Sequence, residues 1–278
     1  MVTNSTATIS GTVNACNTTT NVKLEYGTKS GYGSQTEYPQ NPVSGFTDTN
    51  VSVELSGLIS GQTFYFRVVA TNEYGQTNGD GLTFATTVKD GDGNTCNTIT
   101  IGTQTWLSEN LKTTKYNDGT TIPLVANNAD WSNSTAPVYC WYNNGQATYC
   151  NTLGALYNLY AVNMNKLCPT GWHVPTDGDW TTLANNLGGH NVAGGKLKET
   201  GTTHWSTPNT GATNESGFTA LPGGYHYSNG TFIGIGSSGI WWSSTINIAR
   251  ELNSVSGEIV TAVGYNNKCG LSVRCVRD

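Results

Sequence analysis

The chain has 278 residues, a formal net charge of −5 and only 11% charged side chains, well under the roughly 25% of an average soluble domain. It has no cluster of Lys or Arg, hence no electrostatic footprint for nucleic acid or an anionic membrane surface. No run of about 18 apolar residues could form a membrane-spanning helix. Gly, Asn, Thr and Ser dominate instead, as in β-rich, loop-rich extracellular modules, and the length suits two domains. Cysteine usage argues for an oxidising compartment, so the protein is expected to be secreted or at the cell surface. Met1 runs straight into a polar strand, and the export signal is expected outside this sequence.

In the first 88 residues, short alternating runs recur with turn residues between them. Ala7, Ile9, Gly11 and Val13 share one phase, and Val22, Leu24 and Tyr26 the next. Val51, Val53 and Leu55 follow, then Phe64, Phe66, Val68 and Ala70. This spacing predicts a small antiparallel β-sandwich. The run Leu55-Ser-Gly-Leu-Ile-Ser-Gly-Gln-Thr-Phe-Tyr-Phe-Arg-Val-Val-Ala-Thr-Asn72 resembles a fibronectin type III domain of bacterial secreted proteins. The resemblance puts Phe64 where that family has a corner tyrosine, so the corner hydrogen bond is lost. Residues 1–88 are expected to be a carrier, with Thr86 to Asn94 as the junction.

Residues 89–278 begin with Asp90, Asp92 and Asn94 at alternate positions of a Gly-rich turn. Oxygen ligands at such positions open a calcium loop, but the bidentate Glu is missing because Ile occupies position 101. A turn without metal is the expectation, and no cofactor is expected. Ile99 and Ile101 belong to a strand turned by Gly102, with Trp106 and Leu111 in the core. A hairpin is predicted around Asn143-Asn-Gly145, which would let Cys140 and Cys150 bridge across it. Leu153, Leu156, Tyr157, Tyr160 and Ala161 describe one helical stripe. Trp172 and Val174 form a short strand, after which Thr176 with Asp179 is a capping signature. Trp180, Leu183 and Leu187 line the helix so opened, and Gly188-Gly189 ends it. From about 189 to 238 Gly-rich loops are expected. The terminal run reads as a strand with Leu271, Val273 and Cys275 on one face and Ser272, Arg274 and Val276 on the other. Cys168 and Cys275 are the first choice for a disulfide.

The run Cys168-Pro-Thr-Gly-Trp-His-Val-Pro-Thr176, then Gly-Gly-Lys-Leu-Lys-Glu-Thr-Gly at 194–201, resembles the Fibrobacter succinogenes major paralogous domain. So do Asn-Glu-Ser-Gly-Phe-Thr-Ala-Leu-Pro-Gly-Gly-Tyr at 214–225, Trp241-Trp-Ser-Ser-Thr245 and Leu271-Ser-Val-Arg-Cys-Val-Arg-Asp278. The resemblance covers about residues 89–278. It implies an α+β, C-type-lectin-like fold, loop-rich with two helices, similar to ligand-binding proteins diversified by retroelements. Against that family, Cys96 replaces an aromatic position and Cys269 falls in the variable segment, which suggests that these two pair and leaves Cys16 odd.

The four histidines, His173, His190, His204 and His226, lack zinc-like spacing with a cysteine. A remote fold relative, the formylglycine-generating enzyme, transfers no residues to this chain, so an enzyme is the third choice. The triplets of calcium-dependent sugar binding are absent. What remains is residues 246–268, which depart from the family pattern between closely matching flanks. There the resemblance implies ligand contact by Ile246, Asn247, Ile248, Arg250, Asn253, Val255, Glu258, Tyr265 and Asn266. Trp241 and Trp242 are expected to be buried beneath them, with Leu252, Ile259 and Val263 in the core. The function expected is a non-enzymatic binding module for a protein or glycan. The alternative is a self-assembling envelope or filament subunit.

Overall fold

Period-two alternation shapes the first strand, β1 (Ala7–Val13): Ala7, Ile9 and Val13 are buried while Thr8, Ser10 and Thr12 face solvent. The computed structural model describes residues Met1–Asp278, which divide into two units, Met1–Val88 and Lys89–Asp278. The first unit continues with β2 (Asn21–Lys29), β3 (Tyr32–Glu37), β4 (Thr49–Leu55), β5 (Thr63–Asn72), β6 (Gly75–Asn78) and β7 (Leu82–Ala85). One sheet pairs β1 with β4, and the other runs β3-β2-β5-β6 with β7 also on β5. Ile9 and Val51 from one sheet close on Val22, Leu24 and Phe64 from the other in a single core. Phe64 stacks on Phe84 with centroids 5.3 Å apart, so a ring contact holds this position.

β8 (Val88–Lys89) straddles the boundary, and the second unit continues with β9 (Thr95–Cys96), β10 (Thr98–Ile101) and β11 (Gln104–Leu107). Its middle holds α1 (Asn128–Asn133), β12 (Tyr139–Cys140), α2 (Gln146–Leu153), β13 (Leu156–Tyr157), α3 (Leu159–Val162) and β14 (Trp172–His173). Next come α4 (Asp177–Asn186), α5 (His190–Leu197), β15 (Gly223–His226) and β16 (Phe232–Ile235). The last elements are β17 (Ser238–Trp242), β18 (Ile248–Asn253), β19 (Val260–Val263) and β20 (Val276–Arg277). A four-stranded sheet of order β10-β11-β20-β14 sets the end of the chain between the unit's opening hairpin and the Trp172 strand. The Cys168–Cys275 disulfide fastens that arrangement. A five-stranded sheet, β16-β15-β17-β18-β19, carries the segment 246–268 at one side. Between the sheets and α4 lies an aromatic core in which Trp106 meets Trp180 at 4.8 Å, with Phe218 and Trp241 around them.

Helix α4 forms for the reasons its sequence states. The Thr176 hydroxyl accepts from the Asp179 N–H, the Asp179 carboxylate accepts from the Thr176 N–H, and Trp180, Leu183 and Leu187 are buried. Gly189 then donates back to the Ala184 carbonyl and closes the helix.

Elsewhere the structure departs from the sequence expectations. The segment from Leu153 to Val162 is a helix end, a two-residue strand and a second short helix, because Gly154 (φ 76°) packs on the backbone of Leu111. Ala155, Leu156 and Tyr157 are all buried, which one helical stripe cannot achieve. No hairpin forms at Asn143. Tyr142–Asn144 is a 3-10 turn leading into α2, so Cys140 is enclosed on β12 while Cys150 rides on the helix. The Cys140–Cys150 bridge is therefore absent, and Cys16, Cys96 and Cys269 are free thiols as well. The stretch 189–238 is more regular than its glycines suggest, with α5 and the β15–β16 hairpin inside it. Near the C-terminus only Val276–Arg277 is strand, and every side chain from Leu271 to Cys275 is buried whichever way it alternates. Arg274 is among them, donating to Asn110 Oδ1 and the Phe218 carbonyl with its guanidinium 4.0 Å from the Phe218 ring.

Candidate functional site

The segment 246–268 is a loop, two strands and a second loop held to a rigid frame. Trp241 and Trp242 on β17 are 1% and 0% exposed, as their bulk and flanks suggest. Both indoles are satisfied: Trp241 Nε1 donates to Asn110 Oδ1 (2.8 Å) and Trp242 Nε1 to the Tyr157 carbonyl (2.7 Å). β18 pairs antiparallel with β17 and with β19, setting Arg250 opposite Trp241 and Thr261, and Ile248 opposite Val263. The connection between β18 and β19 is fixed from outside. Gly195 N–H donates to the Gly257 carbonyl (2.8 Å), and a Cβ on Gly194 would lie 2.0 Å from the Glu258 carbonyl oxygen. Only glycine lets α5 approach this closely.

Lys198 completes the clamp. Its ammonium donates to the carbonyls of Thr210, Asn253 and Ser256 at 2.8–2.9 Å. The side chain is fully enclosed, and burial lowers its pKa to about 8. It therefore remains an ammonium at neutral pH, with three N–H donors for three carbonyls. The Gly-Gly-Lys-Leu-Lys motif thus holds the turn of the 246–268 segment in place.

On this frame the nine candidate contact residues separate. Ile246 (72% exposed) and Asn247 lie in the β17–β18 loop, with half-exposed Ile248 opening β18. Tyr265 and Asn266 leave β19 at that same end. Tyr265 is half-buried, its ring edge-on to Tyr225 at 5.7 Å and to Trp242 at 6.4 Å. Burial and then the Glu251 charge raise its pKa, so its hydroxyl is neutral. Val255 and Glu258 are exposed at the opposite end, in the β18–β19 turn, with Asn253 half-exposed beside them. β18, six residues long, runs from one group to the other, roughly 17 Å at about 3.3 Å per residue.

Arg250 belongs to neither group. It is 1% exposed and reaches inward to the Asp177 carboxylate, Thr181 Oγ1 and Thr261 Oγ1. β-Alternation explains the correction: Arg250 shares the face of Leu252, which packs in the aromatic core. Val263, expected in the core with Leu252 and Ile259, is instead 72% exposed at the open end. It is the exposed apolar residue of that end that the sequence reading missed. The sequence carried no signal for it, since only the sheet order makes β19 an edge strand.

The remaining candidates are occupied by their own chain. Asp90 accepts from the N–H groups of Asp92 and Asn94, and Asp92 from the N–H and hydroxyl of Thr114. Cys140 Sγ lies 3.6 Å from His226 Nδ1 in an enclosed pocket. Burial raises the thiol pKa and lowers that of the imidazole, so the pair is neutral and not a thiolate with an imidazolium. Burial likewise pushes the Cys96 thiol up to about 12.

These features define a β-rich protein of two units in which a disulfide-fastened frame, built around buried tryptophans, displays a short exposed hairpin. The family model for the Fibrobacter succinogenes major domain matches residues 99–277, and the chain belongs to that family. No curated protein and no solved structure matches it.

Proposed function

We propose that the chain is an exported bacterial binding module, without enzymatic activity, that recognises a protein through residues 246–268. In this reading the first unit is a fibronectin type III-like carrier and the second a C-type-lectin-like scaffold. Two antiparallel sheets on one core support the first assignment. Short sheets that bring the chain end to the unit's opening hairpin support the second.

The observation that carries the reading is the open end of the hairpin. Ile246 and Val263 are each 72% exposed there, at the end of a hairpin whose backbone is pinned by buried Trp242 and Arg250. Exposed β-branched side chains on a rigid support lose little entropy on contact and suit an apolar interface. A protein fits better than a sugar at this place. A standard interface covers about 800 Å2 per partner, a patch ~30 Å across, wide enough to span both ends of β18. Replacing Ile246 and Val263 together by Asp should abolish partner capture with an unchanged melting temperature.

Self-assembly as an envelope or filament subunit is the second reading. It is favoured by β19, an edge strand with exposed residues and no Lys or Pro to block further pairing. Light scattering across a concentration series tests it: growth in mass with concentration supports this reading, and a constant monomer mass removes it.

A further inference from the structure

A cleft of about 360 Å3 opens between α2 and the segments around Thr203, Pro222 and Ile235, and none of its lining residues belongs to the hairpin. At ~30 Å3 per liquid water it has room for about a dozen waters, the small end of ligand sites at roughly 300–1,000 Å3. Its lining includes apolar groups: the Tyr149 ring, Leu153 and Ile235. Tyr149 is held edge-on by Tyr142, centroids 5.6 Å apart at 79°. It also includes polar groups: Thr148 and Thr152 on α2, and Thr203 and His204 from the neighbouring segment.

The His204 segment is held in place. Glu199 Oε2 lies 2.8 Å from His204 Nδ1, which sets a ring proton on Nδ1 and leaves Nε2 without a protein partner. The next residue plants the loop: Trp205 is 1% exposed and its indole donates to the Ala220 carbonyl at 2.9 Å. The three threonine hydroxyls make no hydrogen bond within the protein, so the His204 Nε2 and three donor–acceptor hydroxyls are all available to a guest.

The lining also sets the charge of that guest. No Lys or Arg faces the cleft to neutralise an anion. The neighbouring carboxylate, Glu199, is committed to His204 and so does not call for a cation. What fits is a neutral molecule with several hydroxyls and one flat C–H face to lie against an aromatic ring. We propose that this cleft binds a single neutral pyranose ring, its C–H face on Tyr149 and its hydroxyls on His204 and the threonines. The site is independent of the 246–268 hairpin and of what that hairpin contacts.

Saturation-transfer NMR on the full chain tests it with methyl α-glucopyranoside, methyl α-mannopyranoside, methyl β-galactopyranoside and N-acetylglucosamine. At least one should give a saturable signal with Kd of about 1 mM or tighter, the affinity of a few well-placed contacts. Tyr149→Ala should weaken that binding at least tenfold. Thr152→Val, on the exposed side of α2, should weaken it several-fold while leaving the folded spectrum intact. A loss in either folded variant supports the assignment. Absence of signal from all four sugars, or a Kd unchanged in both variants, overturns it.

Discussion

Arg250→Ala is expected to cost about 3 kcal/mol of stability. That is the low end for a broken buried ion pair, because Asp177 stays partly exposed. Chemical denaturation of the second unit measures it, and Asp177→Asn should show part of the same loss. A second residue, His226, makes acid the weak side of this unit. Burial holds its folded pKa below the ordinary 6.5, so the neutral ring's contribution is complete above pH 6.5. That contribution falls away as pH drops from there towards the depressed value, because the unfolded chain takes up the proton first. His226→Phe, keeping a ring between Trp131 and Phe232, should flatten this limb of the stability–pH curve; an unchanged limb would assign the dependence to other groups. At this scale, side chains of one kind were readable and others were not. Trp241, Trp242, Trp106 and Leu111 are buried because large apolar groups have one good destination. Arg250 resembles a surface anchor by residue type, and only the register that puts it opposite Trp241 turns it inward.

Among the elements, the clamp on the β18–β19 turn is open to direct test. Lys198→Met removes three charge-assisted hydrogen bonds and leaves three carbonyls unpaired, a loss of about 2–4 kcal/mol. Amide exchange at residues 254–258 should accelerate in step. Gly194→Ala should displace the same turn, because the added methyl meets the Glu258 carbonyl. If either variant leaves exchange there unchanged, the turn is held by something other than α5. Helix α4 was legible in full because its start, stripe and stop are local: a capping box, three apolar positions at helical spacing and a glycine pair. The region between Leu153 and Val162 was not. Its stripe is real as a pattern, but Gly154 packs on the Leu111 backbone, far away in sequence, and that contact breaks the helix. The hairpin read at Asn143 failed likewise, since Asn-Asn-Gly suits a helical turn as well as a strand reversal.

For the whole molecule, the Cys168–Cys275 bridge spans 107 residues and fastens β20 beside β14. Changing both to Ala should lower stability by about 4–5 kcal/mol in the chain-entropy account. Thermal unfolding with and without reductant should give the same difference, and equal melting points would contradict it. This pairing could be read from the sequence because one cysteine leads into the short Trp172–Val174 strand and the other lies on the terminal strand. The free thiols could not be sorted that way, since Cys140 is fixed by its neighbours Trp131 and His226 and by no partner cysteine. The central claim concerns what the frame displays. The most direct test is quantitative capture from cell-surface protein by the immobilised native chain and by an Ile246→Asp/Val263→Asp variant of equal melting temperature. The account predicts one or a few proteins held by the native chain and reduced at least tenfold, ~1.4 kcal/mol, by the variant. The same proteins retained equally by both would contradict it.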